Sequence, residues 1–249
     1  MDSKQEDMLQ KYPSLKKFED MGDNIVESGD GREARVFSYI QSHPSFPSLR
    51  GNPAQILALM DEFAAQEDFL ISVGPNKQQI LAEIIITKKP TVLVELGGYI
   101  GYSAILFANA MSRAGVKDPV VWSLEENQEY ADIATKFVEL ACLSHIVKIV
   151  VGPAEKSLRR LKSDGVWSEG IDVLFLDHVE ELYQHDLKVC EDLELLRPGT
   201  VVLADNALRP GAPDYVKYVR AHPDLESHGI KCLIIPGEYE DEIECTIVN

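Results

Sequence analysis

Thr91-Val92-Leu93-Val94-Glu95-Leu96-Gly97-Gly98-Tyr99-Ile100-Gly101-Tyr102-Ser103 reads as a buried strand, a glycine turn and the start of a helix. The apolar, β-branched run suits a strand covered on both faces, as in a parallel sheet, and the glycines let the backbone turn sharply and approach a ligand closely. The acid Glu95 precedes the first glycine and the spacing is G-G-x-x-G. That departs from the G-x-G-x-x-G turn that cradles a pyrophosphate, so an NAD-type oxidoreductase is disfavoured. A second acid, Glu125, closes the next apolar run, Pro119-Val120-Val121-Trp122-Ser123-Leu124. Doubly wound sheets place there a carboxylate that accepts from ribose hydroxyls. Either feature alone is weak, since a strand-end Glu is a common loop residue. Together, in a strand-turn-helix-strand context, they point to a nucleoside-bearing ligand.

Working outward, the chain alternates regularly. Strands are expected at 92–96, 119–124, 146–151 and 171–176, with helices at 101–113, 127–142 and 154–163 between them. Repeated β-α-β gives a parallel sheet. A helix near 182–195 leads through the Arg197-Pro198-Gly199-Thr200 turn to a strand at 201–204 and, past a Pro/Gly loop, a helix at 214–221. Strands at 230–236 and 242–248, joined by the acidic turn Gly237-Glu238-Tyr239-Glu240-Asp241, read as a closing hairpin antiparallel to the rest. The expected fold is therefore a single Rossmann-like α/β domain: a mostly parallel seven-stranded sheet with an antiparallel C-terminal strand and helices on both faces.

Before the first strand, helices are expected at 32–41, 53–66 and 76–87, with an apolar loop, Asp68 to Pro75, between the last two. Residues 1–30 are polar and read as a flexible N-terminal arm with a short helix around 15–18, leaving 31–249 as the domain.

The chain has 249 residues, 45% of them hydrophobic, enough for one large core. Its 41 acidic against 24 basic residues give a net charge of −17, which repels phosphate backbones and anionic lipid, so neither nucleic acid nor membrane is an expected partner. Cys142, Cys190, Cys232 and Cys245 show no C-x-x-C spacing and read as small buried hydrophobes rather than zinc ligands. The N-terminus lacks a signal-like apolar stretch and no 18 apolar residues run together. A cytoplasmic location is expected, as is a monomer, because no apolar edge or heptad is left over.

In an open α/β sheet, ligands bind outside the carboxyl ends of the strands. The residues there are Glu95, Glu125, Asp177-His178 and Asp205-Asn206. If the strands ending in Asp177 and Asp205 are neighbours, two carboxylates and an amide converge, hard oxygen donors that suit octahedral Mg²⁺. The same residue types also cap helices and open turns. Their common placement after buried strands favours the metal.

These residues resemble the S-adenosylmethionine-dependent catechol O-methyltransferases over roughly residues 32–248. The resemblance is carried by Val73-Gly74, the run Glu95 to Ser103, Phe175-Leu176-Asp177-His178, Leu203-Ala204-Asp205-Asn206 and Pro210-Gly211-Ala212-Pro213-Asp214. It implies that Glu95, Gly97, Tyr99 and Ser103 hold the methionine part of the cofactor with Val73, that Glu125 binds the ribose, and that Asp177 and His178 face the cofactor, His178 beside the adenosine. It implies too that Asp177, Asp205 and Asn206 hold Mg²⁺, which binds both oxygens of a small catechol or diphenol. Phe69, Ile71, Val179 and Pro210 would wall the acceptor, with Asn206 and Glu238 near its hydroxyls. Where the animal enzymes carry a lysine base, this chain has Glu180. A proton acceptor, a substrate-binding or supporting group, and a surface residue are all open readings of it. The alternatives are an O-methyltransferase for other phenolics, or a methyltransferase-like binding protein that has lost the base.

Overall fold

The computed structural model describes residues 3–17 and 26–249. Seven strands form one sheet: β1 (Val92–Leu96), β2 (Val120–Glu125), β3 (Val147–Val151), β4 (Val173–Leu176), β5 (Val201–Ala204), β6 (Leu225–Ile234) and β7 (Tyr239–Val248). Their order is β3-β2-β1-β4-β5-β7-β6. The first five are parallel, and the chain reverses its direction of travel across the sheet between β1 and β4. Such a switch point is where open α/β sheets hold ligands.

Successive residues of the central strands enter opposite cores. Leu93, Val173, Phe175, Val201 and Leu203 pack on one face, while Val94, Leu96, Leu174, Leu176 and Val202 pack on the other. That period of two, apolar on both sides, is why the strands read as near-continuous hydrophobic runs. The first face is covered by α2 (Arg32–Ser42), α3 (Pro53–Gln66), α4 (Gly74–Lys88), α5 (Tyr102–Arg113) and α6 (Gln128–Leu140). The second is covered by α7 (Ala154–Ser163), α8 (Tyr183–Asp192) and α9 (Pro213–Ala221). Local chemistry sets the helix starts. Asn52 accepts from the Gln55 N–H just ahead of Pro53, and Asn127 accepts from the Glu129 N–H.

The C-terminal hairpin differs from the sequence expectation. Both strands begin earlier, so Tyr239 to Asp241 belong to β7 and the turn is confined to 235–238. Only β7 is antiparallel to its neighbour β5; β6, paired antiparallel to β7, runs the same way as the first five strands. The first half of β6, Leu225-Glu226-Ser227-His228-Gly229, is polar because it forms the sheet edge and pairs on one side only. Other boundaries lie within about three residues of expectation, ordinary for helix and strand ends. The four cysteines are free; three are buried, but Cys142 is exposed, because it follows α6 in the left-handed region at φ 57°.

N-terminal to the domain, α1 (Ser3–Lys11) leads into a 3-10 turn, Pro13–Leu15, at the place of the expected short helix, whose end at Phe18 lies outside the described residues. Tyr12, Ser14 and Leu15 are buried, the Ser14 hydroxyl donates to the Ala64 carbonyl at 2.6 Å, and Lys17 pairs with Asp68 at 2.9 Å. Among the described residues, no helix is long and apolar enough to cross a membrane.

Candidate functional site

The parallel register aligns the strand ends. Leu96 pairs with Leu124 and Leu176, and Leu176 with Ala204. The next residues, Gly97, Glu125, Asp177 and Asp205, are thereby brought to one edge. Gly97 has φ +95°, and a Cβ there would overlap the Asp177 carbonyl oxygen; at Gly98 it would press on the Ser123 hydroxyl. The two glycines thus let the β1 turn pass against β4 on one side and β2 on the other.

Glu95 is fully buried at the end of β1, and neither carboxylate oxygen has a hydrogen-bond partner among the described residues. Burial pushes its pKa up to about 7; the Ser123 and Ser103 hydroxyls lower it from short range without reaching hydrogen-bonding geometry. Glu125 is held by backbone amides. The Tyr99 N–H donates to Oε2 at 2.7 Å and the Asn127 N–H to Oε1 at 2.8 Å, locking the end of β2 to the glycine turn. Its pKa is raised by burial against these amides, and each oxygen keeps a further lone pair for a hydroxyl. Tyr99, at φ 41°, donates its phenol to Glu33 Oε1 at 2.9 Å and meets the Tyr130 ring edge-on at 5.1 Å. Glu33, on α2, is a buried support that sequence reading missed.

Val73 is buried immediately before α4. His178 Nε2–H donates to Asp186 Oδ2 at 2.8 Å, while its buried Nδ1 has no partner among the described residues. Of eight buried side-chain polar atoms without a partner among the described residues, five (Ser72 Oγ, both Glu95 oxygens, Ser123 Oγ and His178 Nδ1) come from these segments. Each unpaired group costs about 1–3 kcal/mol, so their concentration here marks a surface built for a polar ligand.

On the other side, Asp177 and Asp205 end adjacent strands, as the metal reading requires. Burial and the Asp205 charge hold the Asp177 carboxyl well above the usual carboxylate range, with Lys77 opposing. Sequence reading missed Lys77, on α4, and Asp241, on β7. The buried Lys77 ammonium lies 2.6 Å from Asp205 Oδ1 and 2.8 Å from Asp241 Oδ2. Burial lowers the Lys77 pKa, but the two carboxylates outweigh it and raise it. Among the described residues, no three His, Cys, Asp or Glu converge as a metal site; the set here is two carboxylates with the Asn206 amide.

Glu180 stands in a 3-10 turn, Glu180–Leu182, half-buried, and its pKa is raised by burial and by the Glu181 charge. Of the residues expected to wall the acceptor, Val179 and Ile71 are 56% and 42% exposed, Pro210 is exposed, and Phe69 is partly buried with its carbonyl accepting from Arg32 Nη1. Exposed apolar side chains are normal singly, but Ile71, Val179, Leu208 and Tyr239 all lie on loops or strand ends near the sheet's carboxyl edge. Glu238, in the β6–β7 turn, is engaged by the N-terminal segment: Lys11 pairs with it and the Tyr12 hydroxyl donates to it at 3.1 Å.

A family model described as O-methyltransferase matches residues 51–219. The catechol O-methyltransferase of Bos taurus is 34% identical over 198 residues, covering 80% of this chain and 70% of that protein. Catechol O-methyltransferase B of Danio rerio is 33% identical over 217 residues, covering 87% and 78%. Among solved structures, the O-methyltransferase from Bacillus cereus in complex with SAH superposes with a TM-score of 0.66 at 20% identity, covering 97% of this chain and 100% of that one. At that identity the likeness is one of fold.

Proposed function

The chain belongs to the catechol O-methyltransferase family of O-methyltransferases, and from that premise we propose that it transfers a methyl group from S-adenosylmethionine to one hydroxyl of a catechol-type diphenol with the help of Mg²⁺. The observation that carries the proposal is the pairing of Asp177 and Asp205 at adjacent strand ends, with Asn206 beside them. Hard oxygen donors suit Mg²⁺, and the Lys77 ammonium that pairs with Asp205 is already shared with Asp241, so the Asp177–Asp205 side keeps negative charge that a further cation would offset. Asp177, Asp205 and Asn206 would hold it, and when bound it would act as a Lewis acid that acidifies a diphenol hydroxyl.

The chain's own residues do the rest. Glu95, with Gly97, Tyr99, Ser103 and Val73, takes the methionine end of the cofactor, Glu125 its ribose, and Asp177 and His178 face the cofactor, His178 beside the adenosine. An unpartnered buried carboxylate supports the first of these assignments, because it can receive a cationic ammonium. Phe69, Ile71, Val179 and Pro210 bound the aromatic ring, with Asn206 and Glu238 toward its hydroxyls. Glu180, half-buried and less acidic than an ordinary glutamate, accepts the hydroxyl proton. Orienting the nucleophile against the methyl contributes more than this proton transfer, on the order of 7–11 kcal/mol for aligned reactants. The same reading has residues 31–249 acting as a cytoplasmic monomeric domain on a small molecule, which the net charge of −17 supports by disfavouring anionic surfaces.

The test is S-adenosylhomocysteine release with a simple catechol, with and without Mg²⁺, for the wild type and Asp205→Ala. Turnover should need the metal and fall by orders of magnitude in the variant. No turnover on any diphenol despite cofactor binding would turn the reading toward a methyltransferase-like binding protein or a different phenolic acceptor.

A further inference from the structure

Asp241 is buried and bears no role in the chemistry above, yet it is the most heavily engaged carboxylate of the region. Its Oδ1 accepts from the Leu208 N–H at 3.2 Å and the Arg209 N–H at 2.9 Å. Its Oδ2 accepts from the Asn206 Nδ2 at 3.2 Å and lies 2.8 Å from Lys77 Nζ. The Asn206 Nδ2 also donates to the Arg209 carbonyl at 2.7 Å.

The two ends of an asparagine amide are nearly alike in shape, so their assignment rests on their partners. Here both partners of one end, a carboxylate and a backbone carbonyl, can only accept, and that end must be the NH₂. The carbonyl oxygen Oδ1 therefore points the other way. Asp241 fixes both acceptors, one as its own Oδ2 and the other by holding the Arg209 backbone in place. Asn206 sits at φ 54° after β5, so its backbone alone leaves the side chain to be oriented by such contacts.

We propose that Asp241 is a positioning residue that sets the Asn206 amide with its oxygen toward the cation and its NH₂ away from it. The inference rests on the metal reading of Asp177, Asp205 and Asn206. A cation gains nothing from an amide nitrogen, and partners that orient metal ligands are typically worth about 10- to 100-fold in affinity.

The experiment is Mn²⁺ binding followed by electron paramagnetic resonance without acceptor, with S-adenosylmethionine affinity measured alongside, in the wild type, Asp241→Asn, Asn206→Asp and the double variant. Asp241→Asn is expected to weaken Mn²⁺ about 10- to 100-fold while cofactor affinity changes less than about twofold. In the Asn206→Asp background the same change should cost nothing or restore binding, because a carboxylate presents oxygen at either end. Equal losses in both backgrounds, or no loss in the wild-type background, would overturn the proposal while leaving the metal reading intact. A wild type that binds no Mn²⁺ would overturn both. Should Asp241→Asn fail to fold, Asp241→Ser keeps an oxygen acceptor, and the wild-type Asn206 side-chain NH₂ can be read directly by NMR. Slow exchange with solvent is expected; fast exchange would remove the proposed orientation.

Discussion

The two halves of the sheet's carboxyl edge are both lined with buried charge, and they hold it in opposite ways. On the side proposed for the cofactor, Glu95 lies near the end of β1 with neither oxygen partnered among the described residues. On the side proposed for the acceptor, Lys77 is partnered by two carboxylates at 2.6 and 2.8 Å, and Asp241 draws four donors from two segments, α4 and residues 206–209. The first arrangement stores unfavourable energy for a ligand to relieve. The second spends its interactions on geometry, fixing side chains before anything binds. Unpaired burial therefore marks where binding energy is to be gained, and paired burial marks where position has to be right.

The largest expected effect comes from breaking the paired side. Lys77→Met leaves Asp205 and Asp241 buried without their ammonium, and removing one partner of a buried ion pair typically costs about 3–5 kcal/mol. Urea unfolding should show that loss, and added Mg²⁺ should recover part of it if a cation at Asp205 takes over the lost charge. Recovery by K⁺ at matched ionic strength to the same extent would assign the effect to screening and remove the contrast.

That Lys77 is decisive could not be read from sequence, and the reason is physical. Strand ends in a parallel sheet are predictable because apolar runs fix them, so Glu95, Glu125, Asp177 and Asp205 were legible as one edge. The glycine turn was legible because Gly97 and Gly98 are forced by the close approach of β4 and β2. A lysine in the first turns of α4 looks like any solvated helix residue; its partners come from β5 and β7, which only the tertiary fold brings near. Asp241 was hidden for a related reason, since an acid in an acidic stretch, Glu238 to Glu242, looks like a turn, whereas β7 turns Asp241 inward. Glu238 was read from the sequence only as a residue of the expected acceptor mouth, and its pairing with Lys11 and Tyr12 was not legible, because nothing in the polar N-terminal segment announces where it docks.

An intermediate effect of the opposite sign is expected on the unpaired side. Glu95 has a folded pKa of about 7 against an ordinary 4.5, with burial as the cause. The unfolded chain releases this proton at lower pH than the folded one, so ionisation costs stability, and the cost grows from about pH 4.5 to about pH 7 and is constant above. Glu95→Gln should therefore stabilise the cofactor-free protein by about 1–3 kcal/mol at pH 8, with the gain vanishing toward pH 4. S-adenosylmethionine affinity by calorimetry should fall at the same time. A variant that is less stable at pH 8, or that keeps its cofactor affinity, would show that Glu95 is structural and that the two halves do not differ in kind.

The smallest effect concerns Glu180, which belongs to neither arrangement. Its carboxyl is half-buried and is pushed above the ordinary glutamate range by burial and by Glu181, with the His178 ring pulling the other way. As a proton acceptor it would make turnover rise with pH through its own titration, placing an acid limb above the usual carboxylate range. Glu180→Gln should remove that limb and lower kcat by about tenfold, less than the ~10²–10⁴ of a well-matched base because a carboxylate remains a weak one. KM for a neutral catechol should hardly move. A fall in affinity for cationic catechols alone, with the pH profile unchanged, would instead make Glu180 a selector of the substrate's tail. In that case the proton leaves to solvent, and the acceptor side contributes position without any base.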